Sequence, residues 1–206
     1  MKKAWIPVAL IALGLGYGAW IWLVNAARDE RERTVSSALK SLAGAEAEFR
    51  GSDRDGNRIQ DFWTGDLASL YYLSDPINGG PIALIEKTIA DADAKPVRAD
   101  APPAVPKAGY YFVALEADDS GRYAEDTRGQ PNLGPHYNHA RFGFCAYPAD
   151  YPRGGRWTFL INEGNVIVKL DTGGKPPRSW PADPDLCKGC QQRKHPDREC
   201  WKGKID

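Results

Sequence analysis

Residues 4–49, AWIPVALIALGLGYGAWIWLVNAARDERERTVSSALKSLAGAEAEF, decide the fold. The first 21 of them, Ala4–Val24, carry no charge and are dominated by Ala, Ile, Leu, Val, Gly and Trp. At ~1.5 Å per residue, a helix of that length crosses the ~30 Å hydrocarbon core of a bilayer. Beyond Asn25 the chain becomes charged but keeps a helical pattern. Val35, Ala38, Leu39, Leu42, Ala45 and Phe49 recur at spacings of three and four, with Arg31, Lys40, Glu46 and Glu48 read on the opposite face. Pro7 lies in the first turn, where a helix tolerates it. The pattern predicts one long helix, half in lipid and half backing a globular head.

This divides the 206 residues into a transmembrane anchor (1–26), an amphipathic continuation (27–50) and a head (51–206) that ends in an irregular cysteine-containing tail (182–206). Lys2 and Lys3 before the apolar run resemble a signal peptide, and Val24-Asn25-Ala26 could be cleaved. The run is longer than the ~7–15 residues of a cleaved signal, so an uncleaved anchor is expected. Trp5 at one end and Trp20 and Trp22 at the other suit an interfacial aromatic belt. Arg28, Arg31 and Arg33 follow the span, so basic residues flank both sides. The short amino tail favours a single-pass protein of the cytoplasmic membrane with its head outside the cytoplasm. Gly14 and Gly18 could let another helix approach closely, although glycine is common in membrane helices.

With Lys2 and Lys3 set aside, 25 basic residues face 27 acidic ones, which argues against nucleic acid as a partner. The head is long enough to bury a core without staples.

Asp53-Arg54-Asp55-Gly56-Asn57-Arg58-Ile59-Gln60-Asp61 places oxygen side chains at alternate positions and resembles the front of a calcium loop. The candidate calcium ligands are Asp53, Asp55, Asn57 and Asp61. Arg58 stands where an EF-hand needs Gly, and Thr64 where it needs a bidentate Glu; Asp66 could compensate. The alternative is an Asx-rich turn leaving the helix, with no metal. Thr64 or Asp66 could cap a short helix containing Leu67, Leu70 and Tyr71. Ile82–Ala90 can form another, and residues 91–108 read as a loop. Strands are expected at Tyr110–Glu116, Arg141–Tyr147, Arg156–Asn162 and Val166–Leu170. The last two form a hairpin around Glu163-Gly164-Asn165. Trp157, Phe159 and Ile161 alternate, which predicts one buried face. The fold class is α+β: a long N-terminal helix packed on a C-terminal antiparallel sheet, in a pilin-like arrangement.

That arrangement, with the strings Leu39–Leu42, Ala45–Arg50, Asp53–Asn57, Asp61–Asp66, Lys107–Tyr111, Phe142–Pro148, Thr158–Glu163 and Trp201–Asp206, resembles the type IV pilins and type II secretion pseudopilins. Within them it is most similar to major-pseudopilin-type proteins of uncharacterised role. The resemblance implies an extracytoplasmic structural or interaction protein, not an enzyme. Its partners would be the lipid bilayer and other pilin-like or secretion-system subunits. Prepilins carry a Glu five residues into the mature chain; here the first acidic residue is Asp29, which points to a head that stays anchored in the membrane.

Cys187, Cys190, His195 and Cys200 have the C-x2-C-x4-H-x4-C spacing of a zinc knuckle. In an oxidising compartment four cysteines favour two disulfides instead, and Cys145, within a strand, could staple the tail to the sheet. His136 and His139 fall in a polar excursion and read as solvated. The nucleophile elbow, metalloprotease, Walker and dinucleotide motifs are all missing from the sequence. The alternative function is therefore a metal-binding extracytoplasmic module, with calcium at Asp53–Asp61 or zinc at the tail.

Overall fold

A computed structural model describes residues 5–126 and 135–181; the side chains of residues 5–19 and of Ile21 fall outside that description. Helix α1 runs unbroken from Trp5 to Ser52, 48 residues. At ~1.5 Å per residue it is a rod of roughly 70 Å. Trp20, Trp22 and Leu23 are each more than half exposed. From Val35 onward one face is buried: Val35, Ala38, Leu39, Leu42, Ala45 and Phe49 all pack into the core. Glu46 corrects the periodic reading. It lies on this buried face, wholly inaccessible, because its carboxylate has a partner inside the head. The helix stop is also shifted. Gly51 is still helical, and the chain turns at Asp53, whose φ of 47° is left-handed, with Arg54 N–H donating to Phe49 O. Among the described residues, no helix is long and apolar enough to cross a membrane.

After the helix come β1 (Phe62–Trp63), α2 (Ser69–Tyr72), α3 (Lys87–Ala90), β2 (Tyr110–Ala114), β3 (Ala117–Asp118), β4 (Gly121–Arg122), β5 (Tyr137–Asn138), β6 (Gly143–Pro148), β7 (Thr158–Asn162) and β8 (Val168–Leu170). The expected Ile82–Ala90 helix is reduced to its last turn. The four expected strands form an antiparallel sheet in the order β2-β6-β7-β8. Its register sets Phe112 opposite Ala146, and Ala146 opposite Phe159. The β7–β8 turn is closed by Asn165 at a φ of 53°. Helix α1 packs across β6 and β7 and onto β1. Leu39, Leu42 and Phe49 thereby share one core with Phe112, Phe144, Phe159 and Ile161.

The sheet departs from a simple one-sided reading. Thr158 and Leu160 are as buried as Phe159 and Ile161. On the far side Val113, Cys145 and Leu160 form a second cluster with Leu115 and Tyr123, and Trp180 packs against it. Two-residue pairings tie in the rest: β1 with β5, where Trp63 opposes Tyr137, and β3 with β4. The architecture is a mixed α+β fold with its principal core between α1 and the sheet.

Candidate functional site

The densest polar chemistry in the head gathers around Trp63. Its indole is wholly buried between Phe49 of α1 and the rings of His136 and Tyr137, with ring centres 6.4, 5.0 and 5.3 Å away. Its backbone N–H donates to Glu46 Oε2 at 3.0 Å, and its Nε1–H to Asp66 Oδ1 at 3.0 Å. The strand therefore meets the helix through a hydrogen bond as well as through hydrophobic packing.

Four carboxylates are buried here: Glu46, Asp61, Asp66 and Asp93, none more than 2% exposed. No Lys or Arg is buried among the described residues. Asp66 is satisfied by protein amides: Oδ1 also accepts from Ser69 N–H at 3.0 Å and Oδ2 from Val97 N–H at 2.6 Å. Asp93 accepts from Leu67 and Ala68 N–H at 2.8 and 2.9 Å, and from Lys95 N–H at 2.9 Å. These two side chains lace residues 63–69 to residues 93–97. Burial, with Asp66 nearby, pushes the Asp93 carboxyl up to about 6. Burial also raises Glu46 well above the usual carboxylate range; the Trp63 amide opposes that shift and Asp61 adds to it. Glu46 Oε1 has no hydrogen-bond partner among the described residues.

His136 corrects the solvated-loop reading. It is 6% exposed and its ring lies against Trp63 at a tilt of 38°, and its carbonyl accepts from both Thr64 N–H and Thr64 Oγ1, at 2.6 and 2.8 Å. The chain passes so close at Gly65 that a Cβ there would stand 2.6 Å from His136 Nδ1. His139, three residues on, is exposed.

The calcium candidates occupy the turn after α1. Asp53 Oδ1 and Oδ2 both accept from Arg58 N–H at 3.0 Å; Asp55 accepts from Asn57 Nδ2 at 2.7 Å, and Asn57 Oδ1 from Ile59 N–H at 2.7 Å. Burial raises the Asp55 carboxyl, and the Asp53 carboxylate lies beside it. Asp61 is instead buried near Glu46, under the helix. Among the described residues no three His, Cys, Asp or Glu side chains are grouped to hold a metal ion, so Asp53, Asp55 and Asp61 do not converge. Asx turns occupy one oxygen each of Asp55 and Asn57, which accept from the backbone N–H two residues on at 3.4 and 2.7 Å, while Asp53 is held by Arg58 N–H five residues on. The zinc candidates Cys187, Cys190, His195 and Cys200 lie outside the described residues. Cys145 is a free thiol buried within the sheet, and that burial pushes its pKa up.

An open groove of about 340 Å³ runs along α1, lined by Thr34, Ser37, Ser41, Glu86 and Lys107. Lys107 Nζ is held there by Glu86 and by Thr88 Oγ1. The groove carries mixed charge and lies apart from the buried carboxylates. The Trp63 knot is sealed from solvent, so its chemistry is that of a structural clamp. The sequence reading missed Glu46, Asp93 and His136 as its members. The available signal for Glu46 was its spacing, four residues from Leu42 and three from Phe49.

In comparisons with known proteins, no family model, no curated protein and no solved structure matches this chain.

Proposed function

We propose that the chain is a membrane-anchored, pilin-like structural or interaction protein whose head stands outside the cytoplasm as part of a secretion or envelope assembly, without catalytic activity. One observation carries the reading. A single 48-residue helix is uncharged from Trp5 to Ala27, and its second half backs an antiparallel sheet through Leu39, Leu42 and Phe49. A rod built this way holds a rigid head at a fixed distance from a bilayer. The buried Asp66 and Asp93 carboxylates are engaged by internal hydrogen bonds, which suits a scaffold. Calcium binding at Asp53, Asp55, Asn57 and Asp61 has less support, because among the described residues the three carboxylates of that set are not grouped as metal ligands.

The test is fractionation of cells producing the full chain, followed by protease added to spheroplasts. The reading expects the protein to stay in the pellet through alkaline carbonate, with the head digested from outside. Release into the carbonate supernatant, or a head protected until the membrane is opened, would contradict it.

A further inference from the structure

We propose that the head makes a second membrane contact: residues 149–156, in the loop between β6 and β7, seat on anionic lipid headgroups through Arg153, the neighbouring Lys175 and the ring of Tyr151. This rests on reading the uncharged half of α1 as a bilayer anchor.

Position comes first. Arg31 Nη1 donates to Gly154 O at 3.3 Å, which pins the loop against α1. The Tyr110 hydroxyl, lying among the charges of Glu32, Arg28 and Arg31, packs against Gly155. The loop therefore sits at the end of the sheet nearest the uncharged run. Arg31 follows Val24 by seven residues, about 10 Å along a helix axis. The polar headgroup layer is itself ~5–7 Å deep on each side of the hydrocarbon core, and a helix tilt of ~20° brings one side of the head closer still. An extended arginine side chain closes what remains.

Chemistry comes second. Tyr151, Pro152 and Arg153 are all exposed. The chain at Gly174 is pressed against Tyr151, where a Cβ would stand 2.5 Å from the Tyr151 Cβ, so exposed Lys175 joins the same corner. An aromatic ring flanked by cations is what an anionic interface selects.

Charge comes third, because nearby acids could cancel the attraction. Asp171 is occupied, accepting from Tyr151 Oη at 3.1 Å and from Arg156 Nε at 2.9 Å. Glu32 is half-buried, with Lys169 and Arg28 close by, and Glu30 lies 3.8 Å from Arg33. Among the described residues, Asp29 and Asp150 are further exposed carboxylates that oppose the attraction. Phosphate groups facing this corner would meet the exposed Arg153 and Lys175.

The experiment is amide hydrogen exchange on the full chain in nanodiscs of phosphatidylcholine alone and of phosphatidylcholine with phosphatidylglycerol. The proposal expects exchange over residues 149–156 to slow by about fivefold or more in the anionic discs, a factor expected from one basic residue at a charged surface. It expects Arg153→Glu with Lys175→Glu to abolish that slowing while β6 and β7 exchange as before, and high salt to weaken it. Equal exchange in both lipids, with residues 5–24 protected in both, overturns the loop contact and leaves the anchor standing. Unprotected residues 5–24 in both discs overturn the anchor, and the loop contact falls with it.

Discussion

The backbone N–H of Trp63 donates to Glu46 Oε2 at 3.0 Å, inside a core where neither residue touches water. A helix normally presents only side-chain surface to its neighbours. Here one acidic side chain reaches across to satisfy the amide of a two-residue strand. That fixes both the rotation of α1 and its register along the head.

Replacing Glu46 separates its two roles. Glu46→Ala leaves the Trp63 amide buried without an acceptor and opens a cavity, costing about 2–4 kcal/mol. Glu46→Gln keeps a carbonyl for that amide and removes the buried acid. Because burial raises the folded-state Glu46 carboxyl above its ordinary 4.5, its contribution is fully present below that value and is lost as pH rises through the folded value. Urea unfolding at pH 5 and pH 8 should show native stability falling more between the two than that of Glu46→Gln.

Asp93 gives a second, narrower window. Its carboxyl moves from 3.8 to about 6 on folding, so its protonation stabilises the fold below 3.8, and that stabilisation is lost as pH rises through about 6. Asp93→Asn should flatten this part of the pH profile. It also turns an amide donor toward backbone N–H groups, so about 1–3 kcal/mol of stability at pH 7 should go as well. Denaturation midpoints from pH 4 to pH 7 check both effects.

Gly65→Ala should destabilise by about 1–3 kcal/mol, because the new methyl group meets the buried His136 ring at 2.6 Å. The near-ultraviolet signal of Trp63 should change with it, since the His136 ring packs against the indole with centres 5.0 Å apart. Gly44→Ala is the control: it lies on an exposed helix face with nothing within 4 Å of the added carbon. It should gain about 0.5–1 kcal/mol.

Calcium should leave the melting temperature of the full chain unchanged within about 1 °C, and a chelator likewise, because a ligand stabilises only if it binds the folded state. A rise of several degrees that disappears in Asp55→Asn would restore the metal-binding reading of the Asp53–Asp61 turn.

The long helix and the four-strand sheet were legible because both rest on periodicity. Leu39, Leu42 and Phe49 recur at helical spacing, and Phe159 and Ile161 alternate. The clamp was not legible, because its logic is pairing and not pattern. Glu46 breaks the polarity expected of a buried position and is tolerated only because a strand 17 residues later brings it a donor. His136 lies in a polar stretch, and nothing local signals that its ring and carbonyl will be claimed by Trp63 and Thr64. The helix runs two residues past the expected end at residue 50, to Ser52, because the left-handed turn that closes it falls at Asp53.

A scaffold role requires α1 to be one rod from its membrane-side half into the sheet. Spin labels incorporated at Ala26 and Lys40, both exposed, measure it by electron double resonance on the full chain in bilayers. An unbroken helix predicts one narrow distribution centred at about 21 Å, from fourteen residues of helical rise. A broad distribution, or one centred well below that distance, would mean the helix breaks at the membrane exit, and the scaffold reading would be wrong.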